Sequence, residues 1–181
     1  MVVPQFVILN GGSSAGKSTI ARCLQEKLST PWLVFGVDDL VEAIPQDGIA
    51  DGSLLRFGAS GQVEVGPGWR DLERSWLVGL GAIGASGTGV IFDDVFLDGA
   101  RQQERLRVAL GGLEVFWVGV LCDAKVAAAR EALRPGRVPG MAESQAQVVH
   151  DGVEYDMVVD TADTSPEECA AMIVSAMSSQ A

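Results

Sequence analysis

Short uninterrupted apolar runs alternate along this chain with stretches whose apolar positions recur at helical spacing. Residues 5–9 (QFVIL) read as a buried parallel strand that ends in Asn-Gly-Gly. Residues 17–29 follow, with Ile20, Cys23, Leu24 and Leu28 on one helical face. Residues 32–37 (WLVFGV) read as a second buried strand, after which Asp38-Asp39 offers an N-cap for a short helix over 40–44, stopped by Pro45. A helix is expected over 68–85, containing Trp69, Leu72, Trp76 and Leu80, then a third strand, GVIF, ending in Asp93-Asp94. Residues 100–110 read as a helix, 114–121 (EVFWVGVL) as a fourth strand, and 123–134 as an alanine-rich helix. Residues 157–159 begin a weak fifth strand, and Ser165 caps a last helix opening Pro166-Glu167-Glu168.

Strictly alternating strands and helices predict a three-layer α/β/α sandwich around a parallel sheet of about five strands, in one domain spanning residues 1–181. Residues 46–67 break the rhythm. They hold Gly48, Gly52, Gly58, Gly61 and Gly66, with a hairpin signal through RFGASGQVEV. The segment is too long for a plain connection, so it reads as a functional cover.

Composition narrows the partners. Of 181 residues, 48% are hydrophobic, enough for a single core. A net charge of −11 repels polyanions, which argues against nucleic acid. Three cysteines with no C-x-x-C suggest neither a disulfide framework nor a zinc site, and a reducing cytoplasm is the expected compartment. The N-terminus lacks the basic region of a signal peptide. Residues 75–92 carry no charge, but five glycines interrupt them, so a helix followed by a strand is expected rather than a membrane span. The oligomeric state is not fixed by these features, and a homo-oligomer stays open.

The candidate chemistry begins at Gly11, where GGSSAGKS spells G-x-x-x-x-G-K-S between a strand and a helix. Such a loop turns a row of backbone N–H groups toward a phosphate. Gly11, Gly12, Ser13, Ser14, Ala15, Gly16, Lys17, Ser18 and Thr19 are therefore expected to cradle ATP. Lys17 would reach the β- and γ-phosphates and Ser18 would hold Mg²⁺. Asp93-Asp94, at the end of an apolar strand, supplies carboxylates for Mg²⁺ or a substrate hydroxyl; Asp93 is assigned to the metal and Asp94 to the substrate, though the pattern alone does not separate them. Arg130, Arg134 and Arg137 stand at i, i+4 and i+7, and like charges so placed call for an anion between them. If the helix survives Pro135-Gly136 the three share one face, and if not Arg137 sits on a loop beyond it; the phosphates of ATP are the expected anion in this segment of about residues 130–140, with Arg137 joining Lys17 in holding the charge of the transferring group.

Asn10 is the only asparagine, so the N-K-x-D signature of GTPases is absent. A compact kinase acting on a small acceptor remains. In open α/β sheets, ligands bind beyond the C-terminal strand ends. Asp38 follows such an end and would accept the proton of the attacking hydroxyl. Phe57, Trp69, Arg70 and Glu73 are the candidate acceptor residues, bulky walls with a few polar groups. His150, the one histidine, reads as structural within a turn.

At this point the chain resembles the chloramphenicol phosphotransferases. The matching stretches are ILNGGSSAGKS, RCLQ, PWL with FGVD, DDVFL, WVGV with CD, and VVH with GVEYD, spread from Phe6 to about Thr161. The resemblance implies an adenylate-kinase-like fold, ATP with Mg²⁺, and transfer to a primary hydroxyl of chloramphenicol. It also implies Asp38 as catalytic base and the arginines after the fourth strand as a phosphate-binding lid. Departures concentrate in residues 46–75, where Gly66-Pro67 and the R-x-L-E-x-x-W stretch from Arg70 to Trp76 still match. Two other readings keep their place: a kinase of another metabolite or nucleoside, and an ATP-binding regulatory protein without turnover.

Overall fold

The computed structural model describes residues 4–58, 61–133, 140–146 and 148–180. Five parallel strands form the centre: β1 (Phe6–Asn10), β2 (Trp32–Gly36), β5 (Gly89–Asp94), β6 (Val115–Leu121) and β7 (Met157–Asp160), in the order β2-β5-β1-β6-β7. Between β2 and β5 the chain makes helices α2 (Val37–Ala43) and α3 (Gln46–Ala50), an antiparallel hairpin of β3 (Leu55–Phe57) and β4 (Val63–Val65), and α4 (Trp69–Ala85). The remaining helices are α1 (Lys17–Lys27), α5 (Ala100–Leu110), α6 (Ala124–Ala132), α7 (Met141–Gln145) and α8 (Pro166–Gln180).

Strand alternation sorts the core into two layers of contact. Val7 and Leu9 of β1, with Val118 and Val120 of β6, pack on Ile20 and Leu24 of α1 and Ile173 of α8. The intervening Phe6 and Ile8 face the other way, onto Leu77 and Leu80 of α4 and Leu106 and Leu110 of α5. This is the expected α/β/α sandwich. A third, smaller cluster joins Leu40, Ile44, Leu55 and Trp69, so the hairpin has its own apolar footing on α2 and α4.

Several expectations shift. β2 is an edge strand: Leu33 is 41% exposed, where a buried strand was expected from its apolar run. Helix α2 begins at Val37 rather than after Asp39, because the Asp39 carboxylate accepts the Gly36 N–H at 2.7 Å and closes the helix one turn earlier. Helices α3 and α7 had no clear sequence signal. Non-local capping explains α7: the buried Glu131 carboxylate accepts N–H bonds from Gly140 at 2.8 Å and Ala142 at 2.9 Å. Helix α6 stops at Ala132. The hairpin turn reaches this same region. Gly61 has φ +81°, and a Cβ there would lie 2.4 Å from the Met141 nitrogen, so only glycine fits. No described helix is long and apolar enough to cross a membrane.

Candidate active site

Strand register brings the candidate residues to one edge of the sheet. Gly36 stands opposite Asp93 in the β2–β5 pairing, and Leu9 opposite Asp93 in the β1–β5 pairing. The phosphate loop, Asp93 and the start of α2 with Asp38 therefore share the C-terminal end of the sheet. They open onto one cavity of about 1020 Å³.

Ser13, Ser14, Gly16, Lys17, Ser18 and Thr19 line that cavity, while Gly11, Gly12 and Ala15 are buried behind it. Gly16 takes φ +92° to turn the loop into α1. The Lys17 ammonium donates to Gly11 O at 2.8 Å and Gly12 O at 3.0 Å, and its nitrogen lies 3.5 Å from Asp93 Oδ1. Ser18 Oγ donates to Asp93 Oδ2 at 2.6 Å. The hydroxyls of Ser13 and Ser14, each 8% exposed, have no protein partner among the described residues. Buried hydroxyls without partners beside a lysine and a helix N-terminus fit a phosphate, which would supply the missing acceptors. The Ser18–Asp93 oxygen pair fits a hard cation such as Mg²⁺, which takes one or two protein oxygens and completes its shell with phosphate and water.

Two adjacent acids separate cleanly. Asp93 faces the loop; Asp94 turns to the opposite face of β5 and is 2% exposed. Asp94 accepts from Val95 N at 2.7 Å and from Gln102 Nε2 at 3.1 Å. It does not line the cavity, as its assignment to the substrate would require; Gln102 lines it instead. Burial pushes the Asp94 carboxyl up to about 7, with the Glu73 and Asp93 charges adding to the effect and the Val95 N–H and Gln102 opposing it.

Arg130 is drawn to the loop by a residue with no sequence signal. Its guanidinium donates to Thr161 O at 2.7 Å and Thr161 Oγ1 at 3.1 Å, and the Thr161 hydroxyl donates to Ala15 O at 2.8 Å. Arg134 and Arg137 lie outside the described residues. Gln145 is a second unforeseen partner, its Oε1 accepting the Ser13 N–H at 2.8 Å.

Asn10 anchors the strand end just before the loop. Its amide donates to Val149 O at 2.7 Å and to the Tyr155 hydroxyl at 2.6 Å, and its carbonyl accepts the Phe96 N–H at 2.9 Å. Tyr155 in turn is 2.7 Å from His150 Nδ1. Burial, with Lys17 nearby, lowers the histidine's affinity for a proton. The structural reading of His150 agrees with these contacts.

The far end of the cavity belongs to α4 and the hairpin. Phe57 is 38% exposed on β3, and Trp69 is buried with its Nε1 donating to Glu73 Oε1 at 3.4 Å. Arg70 Nη1 donates to Glu73 Oε2 at 2.9 Å. Asp98 and Arg105, which sequence patterning did not single out, complete this polar group. Trp76 is half-buried and packs edge-on against Phe35, at 5.9 Å between ring centroids.

The chain matches the family model of chloramphenicol phosphotransferase-like proteins over residues 4–178. A Mycobacterium tuberculosis (strain ATCC 25618 / H37Rv) protein bearing the name of an O-phosphotransferase is 31% identical over 178 residues, which cover 92% of this chain and 79% of that one. The unliganded crystal structure of a sugar kinase from Janibacter sp. HTCC2649 superposes with a TM-score of 0.71 at 19% identity, covering 96% of this chain and 94% of that one. A tunicamycin resistance protein of Deinococcus radiodurans gives 0.64 at 21% identity, covering 94% and 93%. Likeness at such low identity speaks for the fold, the family match for the class. Fold and family together define a kinase-like O-phosphotransferase with a P-loop nucleotide-binding scaffold. The chain belongs to the chloramphenicol phosphotransferase-like family.

Proposed function

We propose that this protein transfers the γ-phosphoryl group of ATP to a hydroxyl of a small molecule, with chloramphenicol the first acceptor to test. The observation that carries this reading is one continuous cavity. It has the Lys17–Asp93–Ser18 triangle at one end and the walls of the hairpin and α4 at the other, with Asp38 among its lining. Donor and acceptor can thus meet without either crossing solvent.

In this reading Lys17 and the loop amides hold the phosphates, joined by Arg130 and, beyond the described residues, Arg134 and Arg137. Ser18 and Asp93 hold Mg²⁺, which when bound draws charge from the phosphate oxygens. Asp38 accepts the proton of the attacking hydroxyl and orients it toward the phosphorus. Residues 46–67 cover the acceptor, and residues 130–140 cover the nucleotide. The reaction needs little covalent chemistry from the protein: it needs alignment and positive charge, which these residues provide.

The test is direct. The purified protein is incubated with Mg-ATP and chloramphenicol, and the drug is examined by mass spectrometry for one added phosphoryl group. Phosphorylated drug that vanishes with Asp38→Asn supports both acceptor and base. ADP formation with untouched drug moves the acceptor to another hydroxyl compound. Binding of ATP with no turnover of any acceptor in a broad hydroxyl panel returns the protein to the regulatory reading.

A further inference from the structure

Helix α7 lies against the phosphate loop. A Cβ on Gly12 would stand 3.5 Å from the Ala146 nitrogen and 3.5 Å from Gln145 Cβ, so loop and helix end are in van der Waals contact. Gln145 closes the helix, is 4% exposed, and lines the cavity together with Ser13 and Lys17. Its place is fixed from several sides. Glu131 accepts the Gly140 and Ala142 N–H groups at the start of the helix, at 2.8 and 2.9 Å. The hairpin turn at Gly61 rests on Met141. The chain leaving the helix is tied down where the Asn10 amide donates to Val149 O at 2.7 Å.

A primary amide has an accepting end and a donating end. The Ser13 N–H needs an acceptor, so its 2.8 Å bond sets Oε1 of Gln145 toward the loop. Nε2 is then the other end, and it donates to no protein group among the described residues. A buried amide N–H₂ calls for an acceptor, and the open side of Gln145 is the cavity. Lys17 indicates which acceptor belongs there. In loops of this pattern the lysine reaches the β- and γ-phosphates. Here its ammonium lies on the carbonyls of Gly11 and Gly12, the two residues before Ser13. Ser13 and its glutamine partner therefore stand at the terminal-phosphate end of the loop.

We propose that Gln145 is a further catalytic residue, whose Nε2 donates to an oxygen of the transferring γ-phosphoryl group while Ser13 N–H holds Oε1. This rests on the ATP reading given above and adds a ligand that the loop itself does not supply. In transfer, the bond from the γ-phosphorus to the β–γ bridging oxygen breaks as the bond to the acceptor oxygen forms. The acceptor proton passes to Asp38, and the amide keeps both of its own. Charge spreads over the outer phosphoryl oxygens in that step, and a donor already fixed in place stabilises it without reorganisation.

The experiment compares two nucleotides that differ in the γ-phosphoryl group: Mg-ADP and the magnesium complex of the β,γ-imido analogue of ATP. Both are titrated by calorimetry into the wild type and two variants, with no acceptor present. Gln145→Glu keeps an oxygen for the Ser13 N–H and removes the donor. It should bind ADP within about threefold of the wild type and the imido analogue about 100-fold more weakly, from a lost hydrogen bond to a charged group and a new like-charge contact. Gln145→Met removes both ends of the amide. It should weaken both nucleotides, and the imido analogue about tenfold more than ADP. A merely structural role would move both nucleotides together. An ADP-to-analogue ratio that stays at the wild-type value in the variants overturns the proposal and leaves the nucleotide site standing. A wild type that binds neither nucleotide removes the ATP reading and the proposal with it. Folding is checked by circular dichroism, and where one variant does not fold, the ratio in the other decides.

Discussion

The two ends of the cavity hold charge in opposite ways. At the loop end, consecutive residues of one short segment do the holding: backbone groups, two small hydroxyls and one lysine tethered to the carbonyls six and five positions before it. The geometry is local and leaves positive character facing the cavity. At the hairpin end, four charged side chains from two helices and a loop cancel one another. That geometry is tertiary and leaves polarity without net charge. The difference matches the two proposed tasks. A polyphosphate presents the same shape to any such enzyme and can be met by one fixed loop. An acceptor is particular, so its site is assembled from elements that can vary separately.

The sharpest way to break this contrast is at Lys17. Lys17→Ala should lower phosphoryl transfer by at least about 1000-fold, since its charge acts on the phosphate in the transition state. The fold should persist, checked by circular dichroism, because the aliphatic stem leaves the apolar clusters untouched. Wild-type turnover in this variant would mean that the loop does not hold the reacting phosphate.

Asp38→Asn should come next, with turnover down about 100- to 1000-fold and ATP affinity retained, measured by steady-state kinetics beside nucleotide titration. This variant tests whether the junction of the two ends belongs to the acceptor. A large loss of ATP affinity with unaltered turnover of the bound complex would assign Asp38 to the nucleotide instead.

The same contrast explains what could be read from the chain. Every strand of the central sheet and the whole phosphate loop were legible, because apolar runs and G-x-x-x-x-G-K-S are contiguous. The sequence offers Asp38 and Asp39 alike as the capping acid, since two adjacent acids look the same until Gly36 shows which one closes the helix. Asp93 and Asp94 divide only once the strand gives them opposite faces. Thr161, Gln145, Asp98 and Arg105 were invisible: their partners lie 132 and 146 residues away in the first two cases, Gln145 to Ser13 and Thr161 to Ala15. No local pattern marks such contacts. Asn10 stands out in the sequence as the one asparagine, yet only its tertiary partners show that it fixes the strand end before the loop.

Asp94 offers a stability test beneath the acceptor end. Its folded-state pKa, about 7, is raised above the usual carboxylate value by burial. The folded state therefore binds the proton more tightly than the unfolded chain. The contribution to stability is fully present below the unfolded value near 4 and is lost as pH rises through 7. Between pH 5 and pH 8 this residue should remove about 2–3 kcal/mol. Asp94→Asn should erase that slope, read as urea midpoints at the two pH values. An unchanged slope would mean that Asp94 is solvated or that another group titrates in its place.

The mildest change probes the apolar wall. Phe57 sits on the hairpin opposite Val63 and is more than a third exposed, so truncation should cost little stability, under about 1 kcal/mol. Its ring lines the cavity away from the phosphate loop. Phe57→Ala should therefore raise the acceptor KM about tenfold, the equivalent of losing part of one apolar contact surface, with the KM for ATP unmoved. The measurement is a two-substrate kinetic matrix with chloramphenicol and ATP varied together. Selective loss on the acceptor axis would show that the hairpin acts on one substrate alone. Equal loss on both axes would mean that hairpin and loop move as one unit, as the close approach of Gly61 to Met141 permits, and the division between a fixed nucleotide end and a separately built acceptor end would fall.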